Sequence, residues 1–226
     1  MRYHMVEPGI FLERPNRFIA IVEMEHGRQI CHVKNTGRCR ELLIPGRRVY
    51  LDRAENPGRK TAYDLIAVEK GERLINLDAQ APNRVFAEWA RGGGFRPDVR
   101  EIRPEYRYGD SRLDFCLTTD RGTHLVEVKG VTLEEGGAAR FPDAPTERGV
   151  RHVRELTRAV EEGLDATLFF VVQMESIHSV APNEETHPEF GRALREAAEA
   201  GVQVEAWECA VAPDAIRISR PVPVLL

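Results

Sequence analysis

Residues 112–129, Arg-Leu-Asp-Phe-Cys-Leu-Thr-Thr-Asp-Arg-Gly-Thr-His-Leu-Val-Glu-Val-Lys, constrain the fold more than any other stretch of the chain. Apolar and polar residues alternate on both sides of Asp120-Arg121, the pattern of two half-buried strands joined by a two-residue turn. With that dipeptide at the tip, Asp114 falls opposite Glu127, their Cβ atoms about 4.5–5.5 Å apart. Glu127 and Lys129 are two positions apart on one strand and so share a face with Asp114. Leu113, Phe115, Leu117, Val126 and Val128 take the other, apolar face. A slip of one residue would bury the charges and expose the apolar set, so burial selects this register.

Two carboxylates held that close repel unless one is protonated or a cation lies between them. Hard oxygen ligands suit Mg²⁺ or Mn²⁺, and Mg²⁺ characteristically takes one or two carboxylates, waters and a substrate phosphate. Lys129 beside them can hold or deprotonate a water, or stabilise charge developing on phosphorus. The chain carries 4 lysines against 28 arginines, and an ammonium whose pKa falls on burial does what a guanidinium cannot. Glu88, on a helix expected over 84–91, and Glu105, on the preceding strand, are further acids that could join the site. By itself, Asp followed by Glu-x-Lys also describes a solvent-facing hairpin with cross-strand ion pairs.

The first 80 residues read as short strands separated by turns. Ile10–Leu12, Phe18–Val22, Gln29–Val33, Val49–Leu51, Leu65–Val68 and Leu74–Leu77 are apolar or alternating, with His26-Gly27, Pro45-Gly46, Pro57-Gly58 and Gly71 between them. Strands of this number and length predict a small β-barrel of the oligonucleotide-binding (OB) type over residues 1–80. The loop Lys34-Asn35-Thr36-Gly37-Arg38 serves equally as a phosphate cradle or a simple hairpin connection.

From Ala81 the rhythm changes. A helix follows Pro82-Asn83 and stops at Gly92-Gly93-Gly94. Strands at 101–108, 112–118 and 123–129 come next, then a helix at 147–162 with Thr146 as N-cap, a strand at 166–172, a helix at 188–200 and a strand at 202–207. This order predicts an α/β domain with a mixed sheet over 81–226. On the helix from Glu147, Val150, Val153, Thr157, Val160 and Leu164 form the core stripe. Arg148 and His152 are expected on the far side, flanked by Arg151, Arg154 and Arg158, either as a solvated face or as a phosphate-gripping one.

The net charge of −4 does not announce a nucleic-acid binder, but residues 28–60 hold 9 basic against 3 acidic residues. Lys34, Arg38, Arg40, Arg47 and Arg48 in this stretch, with Arg148, Arg151 and His152, are candidate contacts to nucleic-acid phosphates. Residues 1–10 show no basic segment followed by an apolar one, and the longest apolar run, at 166–172, is too short for a bilayer. The four scattered cysteines form no CxxC pair, so a cytoplasmic protein without metal-thiolate clusters or membrane association is expected.

Together these pieces resemble the sugar fermentation stimulation protein A family. The resemblance is carried by Arg17-Phe18, Asn35-Thr36-Gly37, Pro45-Gly46, Ala81-Pro-Asn-Arg84, Glu105, Tyr108-Gly109, Ser111-Arg-Leu-Asp-Phe115, Glu127-Val-Lys129, Val131-Thr-Leu133, Phe141-Pro-Asp-Ala144 and Thr146-Glu-Arg-Gly149. It implies an OB-like N-terminal domain and a C-terminal restriction-endonuclease-like domain, DNA binding, and a connection with regulation of sugar (maltose) utilisation. In that nuclease superfamily an acid from the first helix, an Asp on the second strand and Glu-x-Lys on the third make the site. This implies Glu88, Asp114 and Glu127 as metal ligands and Lys129, Asp114 and Glu127 as the catalytic group. The superfamily's usual Pro before the Asp is Leu113 here, and the literal Pro142-Asp143 follows the Glu-x-Lys. Relatives of this kind often dimerise to cut both strands. The competing expectations are a DNA-binding regulator that keeps the fold without cleaving, or a protein acting on RNA or a small phosphorylated ligand.

Overall fold

The structure is a computed structural model and describes residues 1–35, 37–56 and 58–226; Thr36 of the candidate phosphate loop and Pro57 of the Pro57-Gly58 turn lie outside these. Six strands come first: β1 (Val6–Asn16), β2 (Ile19–Met24), β3 (Gly27–Val33), β4 (Arg48–Arg53), β5 (Tyr63–Lys70) and β6 (Arg73–Asn76). β1 pairs with β2 and β4, β2 with β3, and β4 with β5. A parallel pairing of β3 with β5 closes the ring, so five strands form an OB barrel with β6 appended to β5. Phe11, Val22, Leu51 and Leu65 alternate into its interior and are buried, as the period of two requires.

The second half begins with α1 (Ala81–Arg91), then β7 (Glu101–Tyr108), β8 (Ser111–Thr119) and β9 (Gly122–Val131). The short strands β10 (Leu133–Glu135) and β11 (Ala138–Phe141) precede α2 (Glu147–Glu161) and β12 (Asp165–Val172). β13 (Ser179–Pro182), α3 (Pro188–Ala200), β14 (Gln203–Ala212) and β15 (Ala215–Val222) complete the chain. The main sheet runs β15-β14-β12-β9-β8-β7, and β10, β11 and β13 form a small sheet of their own. β12 lies parallel to both β9 and β14, whereas the other pairs are antiparallel, so the sheet is mixed as expected.

Helices cover both faces. Phe115, Leu117, Val126 and Val128 pack with Val85 and Phe86 of α1. Cys116, Leu125, Leu168 and Phe170 pack with Val150, Val153 and Leu156 of α2 and with Leu194 of α3. Leu113, expected beside Phe115, joins the α2 side instead, where the facing strand turns through Glu105 in left-handed backbone, φ 56°. α1 starts three residues before the expected position. Pro82 sits inside its first turn rather than ahead of it, where its missing N–H costs nothing.

The halves are joined by buried charge. Glu134 accepts from Lys70 at 2.8 Å and Arg73 at 2.7 Å. The Gln173 amide donates to Asn76 and Asp78.

Candidate metal centre and nucleic-acid interface

β8 and β9 pair in the register read from the sequence, from Thr119↔Gly122 down to Phe115↔Val126. The next pair in that series is Asp114 with Glu127, and there side chains take over from the backbone ladder. The Val128 amide donates to Asp114 Oδ2 at 2.8 Å, and the Asp114 amide to Glu127 Oε2 at 3.3 Å. Backbone donors that would otherwise be orphaned inside the protein are satisfied by the two carboxylates.

Each acid has further partners. Asn83, in the first turn of α1, donates Nδ2 to Asp114 Oδ1 at 2.7 Å. Lys129 Nζ lies 2.5 Å from Glu127 Oε1, which also accepts from His152 Nδ1 of α2. Arg148 Nε donates to His152 Nε2 at 3.3 Å. The Arg148 contact uses the lone pair of His152 Nε2, which places a His152 proton on Nδ1, toward Glu127.

The acids respond in opposite senses. Burial and the facing Glu127 charge push the Asp114 carboxyl up to about 6, against the pull of the Val128 amide, Lys129 and Asn83. Burial also pushes Glu127 up, but the His152 hydrogen bond and the Lys129 charge outweigh it and hold its carboxyl below the usual range.

This donor set fits a hard divalent cation. Of the roughly four lone-pair positions on a carboxylate, Asp114 engages two and Glu127 three among the described residues. Oxygen lone pairs remain on both acids, and a cation there would relieve the repulsion that raises Asp114. A second compact group, Glu147, His187 and Glu189, has ligand atoms within 4.8 Å of one another. Its His187 Nδ1 already accepts the Thr146 amide and its Glu189 is paired with Arg154.

Several residues singled out in the sequence sit elsewhere. Glu88 does not join the acids: its side chain is 64% exposed and pairs with the Met1 amine. Glu105, also exposed, pairs with Arg112. His152, expected on the outer face of α2, is 2% exposed and part of the centre. Leu156, one turn on, is buried as well, and a core stripe running through Leu156 also takes His152 inside.

Among the proposed phosphate contacts, Lys34 is only 14% exposed and locked to Asp78 at 2.8 Å. Arg47 spends its guanidinium on the Glu41 and Leu42 carbonyls. Arg38, Arg40, Arg48 and Arg151 are exposed, and none of the four forms an ion pair among the described residues. Arg14 donates to the carbonyls of Asn35, Gly37, Arg38 and Arg17, holding Asn35, Gly37 and Arg38 against the β1–β2 turn. Beside it Arg17 stacks 4.7 Å over the exposed Phe18 ring.

An OB barrel followed by a mixed sheet with an Asp and a Glu-x-Lys on adjacent strands defines a two-part protein with a restriction-endonuclease-like C-terminal half. The family profile described as the sugar fermentation stimulation protein RE domain matches residues 80–215, and that of the SfsA N-terminal OB domain matches 12–77. The chain belongs to the sugar fermentation stimulation protein family. A relative named sugar fermentation stimulation protein homolog, from Ruminiclostridium cellulolyticum, is 50% identical over 226 residues, covering 100% of both chains. Another of the same name, from Desulfitobacterium hafniense strain Y51, is 53% identical over 100% of this chain and 99% of its own. The structure of Pyrococcus furiosus SfsA in complex with Ca²⁺ is 30% identical and superimposes with a TM-score of 0.90 over 100% of this chain and 98% of that one. No helix among the described residues is long and apolar enough to cross a membrane.

Proposed function

We propose that this chain binds DNA and hydrolyses its phosphodiester bonds at Asp114, Glu127 and Lys129 with the help of Mg²⁺ or Mn²⁺. The single observation carrying this reading is the convergence of a buried carboxylate, a half-buried one and an amine at the end of a paired hairpin. The Ca²⁺ described for the Pyrococcus furiosus relative supports a divalent cation in this family. Asp114 and Glu127 would hold the ion. When bound, such an ion polarises the phosphoryl oxygens and lowers the pKa of water.

The chain's own groups divide the remaining work. Asn83 and the Val128 amide fix the Asp114 carboxylate, and His152 fixes that of Glu127. Lys129 Nζ orients the attacking water and balances charge on the phosphoryl group. Water oxygen bonds to phosphorus and gives up a proton to solvent, the bond to the leaving sugar oxygen breaks, and that oxygen takes up a proton from solvent. Exposed Arg38, Arg40 and Arg151, with the Arg17–Phe18 stack, supply backbone-phosphate contacts and an aromatic platform.

The test is cleavage of single-stranded and plasmid DNA by purified protein with Mg²⁺ or Mn²⁺. Wild type should cut, and Asp114→Asn and Lys129→Ala should each lose at least about a hundredfold in rate. Equal cutting by all three would assign the activity to a contaminant. Salt-sensitive DNA binding without cleavage in either metal would support a regulator that keeps the fold but not the chemistry.

A further inference from the structure

A half-enclosed cavity of about 130 Å³ lies between the barrel and the main sheet. Asn35 lines it from the barrel side, and Gly130, Arg140, Phe141, Asp143 and Gln173 from the other. Gly130 directly follows Lys129 and is three positions beyond Glu127, about 10 Å at roughly 3.3 Å per strand residue. Position 130 has to be glycine: a Cβ there would meet Gln173 Oε1 and Pro82 Cγ at 2.6 Å each.

The walls have a specific chemistry. Phe141 is braced by Phe190 and Phe170, with centroids 5.1 and 5.6 Å away, and so offers a rigid aromatic surface. Gln173 spends its amide hydrogens on Asn76 and Asp78, which leaves Oε1 as an acceptor. Asn35 accepts the Gly37 amide through Oδ1, which leaves its Nδ2 as a donor. Arg140 Nε is buried with no partner among the described residues.

These features separate possible occupants. A phosphate would meet the Asp143 carboxylate. An aliphatic group would leave the Arg140, Asn35 and Gln173 groups unpaired, which opposes its binding. A planar heteroaromatic ring with donors and acceptors on its edge satisfies them and stacks on an aromatic wall. That is how flipped or single-stranded bases are held, and a base inside a duplex cannot present its edge in this way.

We infer that this cavity takes one unstacked nucleobase of the DNA strand whose phosphodiester lies at Asp114 and Glu127. The substrate is then single-stranded or carries an unpaired nucleotide. This deepens the nuclease reading and rests on it for the position of the strand.

Oligonucleotides carrying 2-aminopurine test the inference with the full-length protein. In EDTA, binding should change the fluorescence of a single strand and of a duplex with one unpaired 2-aminopurine, but not of a fully paired duplex. In Mn²⁺, kcat/KM should favour the unpaired substrates about tenfold or more, the worth of one stacked base. Asp143→Ala and Phe141→Leu should remove most of that preference. Asp143 forms no ion pair among the described residues, so its variant should fold even if the Phe141 variant does not.

Cleavage with equal kcat/KM on paired and unpaired substrates would overturn the pocket and leave the nuclease standing. A preference untouched by Asp143→Ala would overturn it as well. Absence of cleavage alongside a fluorescence change sensitive to Asp143→Ala would remove the nuclease and keep the base pocket. Absence of both signals would remove the pocket.

Discussion

Asn83 Nδ2 stands 2.7 Å from Asp114 Oδ1, so the first turn of α1, not its middle, meets the acidic centre. Asn83 also brings no charge to a site already crowded with two carboxylates. It holds one Asp114 oxygen while the Val128 amide holds the other, fixing the direction in which the remaining lone pairs point. Partners of this kind are worth about 10–100-fold in metal affinity or activity. Asn83→Ala is therefore expected to raise the Mn²⁺ concentration needed for half-maximal cleavage by that factor. Asn83→Asp, which adds a third negative charge, should behave differently, with tighter metal binding and a further rise in the Asp114 pKa.

His152 is a positioning residue for Glu127. Its imidazole donates through Nδ1 and is held at Nε2 by Arg148. His152→Leu keeps the volume but strips one donor from a buried carboxylate. The expected result is about 1–3 kcal/mol of lost stability, read by denaturant titration, together with weakened Mn²⁺ binding. Arg148→Ala should do the second with little of the first, because Arg148 is exposed.

Glu134 clamps the two halves together, and its contribution depends on pH. Burial pushes its carboxyl up, but Lys70, the Gly137 amide and Arg73 pull it below the ordinary glutamate value. A group depressed in the folded state contributes stability above its unfolded pKa and loses it as pH falls through the folded one. Glu134→Gln should cost about 3 kcal/mol near neutrality. The gap between variant and wild type should stay constant above about pH 4.3 and shrink below it. Thermal unfolding across pH 2.5–7 (roughly the span over which carboxylates titrate) measures this directly.

How much of this could be read beforehand depended on how local the signal was. The β8–β9 register was legible because strict alternation and a two-residue turn leave one arrangement that buries Phe115, Leu117, Val126 and Val128. The barrel was legible from turn spacing, although the β3–β5 closure is a long-range pairing that alternation cannot reveal. β10, β11 and β13 are three or four residues long, too short to carry a period. The choice of Glu88 over Asn83 was an error of helix phase. Five residues at 100° each place the two about 140° apart around the axis, so both cannot face β8. The residue of α1 that reaches the site is an amide, not an acid.

Removing Glu88 should therefore matter little. Its pairing with the Met1 amine is exposed on the glutamate side, and such pairs contribute about 0–1 kcal/mol. Glu88→Ala should leave kcat/KM for DNA within about twofold of wild type, a difference below roughly 0.5 kcal/mol. A loss of a hundredfold would return it to the metal-binding set.

On the binding side, Arg40 and Arg151 are exposed and free of ion pairs among the described residues. Replacing either with alanine should weaken binding uniformly across DNA sequences. It should also reduce the slope of log K against log salt by about one. Lys34→Ala should leave that slope alone and lower stability, because its amine serves Asp78.

The central claim, that Asp114 and Glu127 share a divalent cation, is tested most directly by counting bound Mn²⁺ with electron paramagnetic resonance of the free ion. Wild type should bind Mn²⁺, the double variant Asp114→Asn/Glu127→Gln should lose that binding, and Glu147→Ala/Glu189→Ala should keep it. Undiminished binding in the first double variant would contradict the claim.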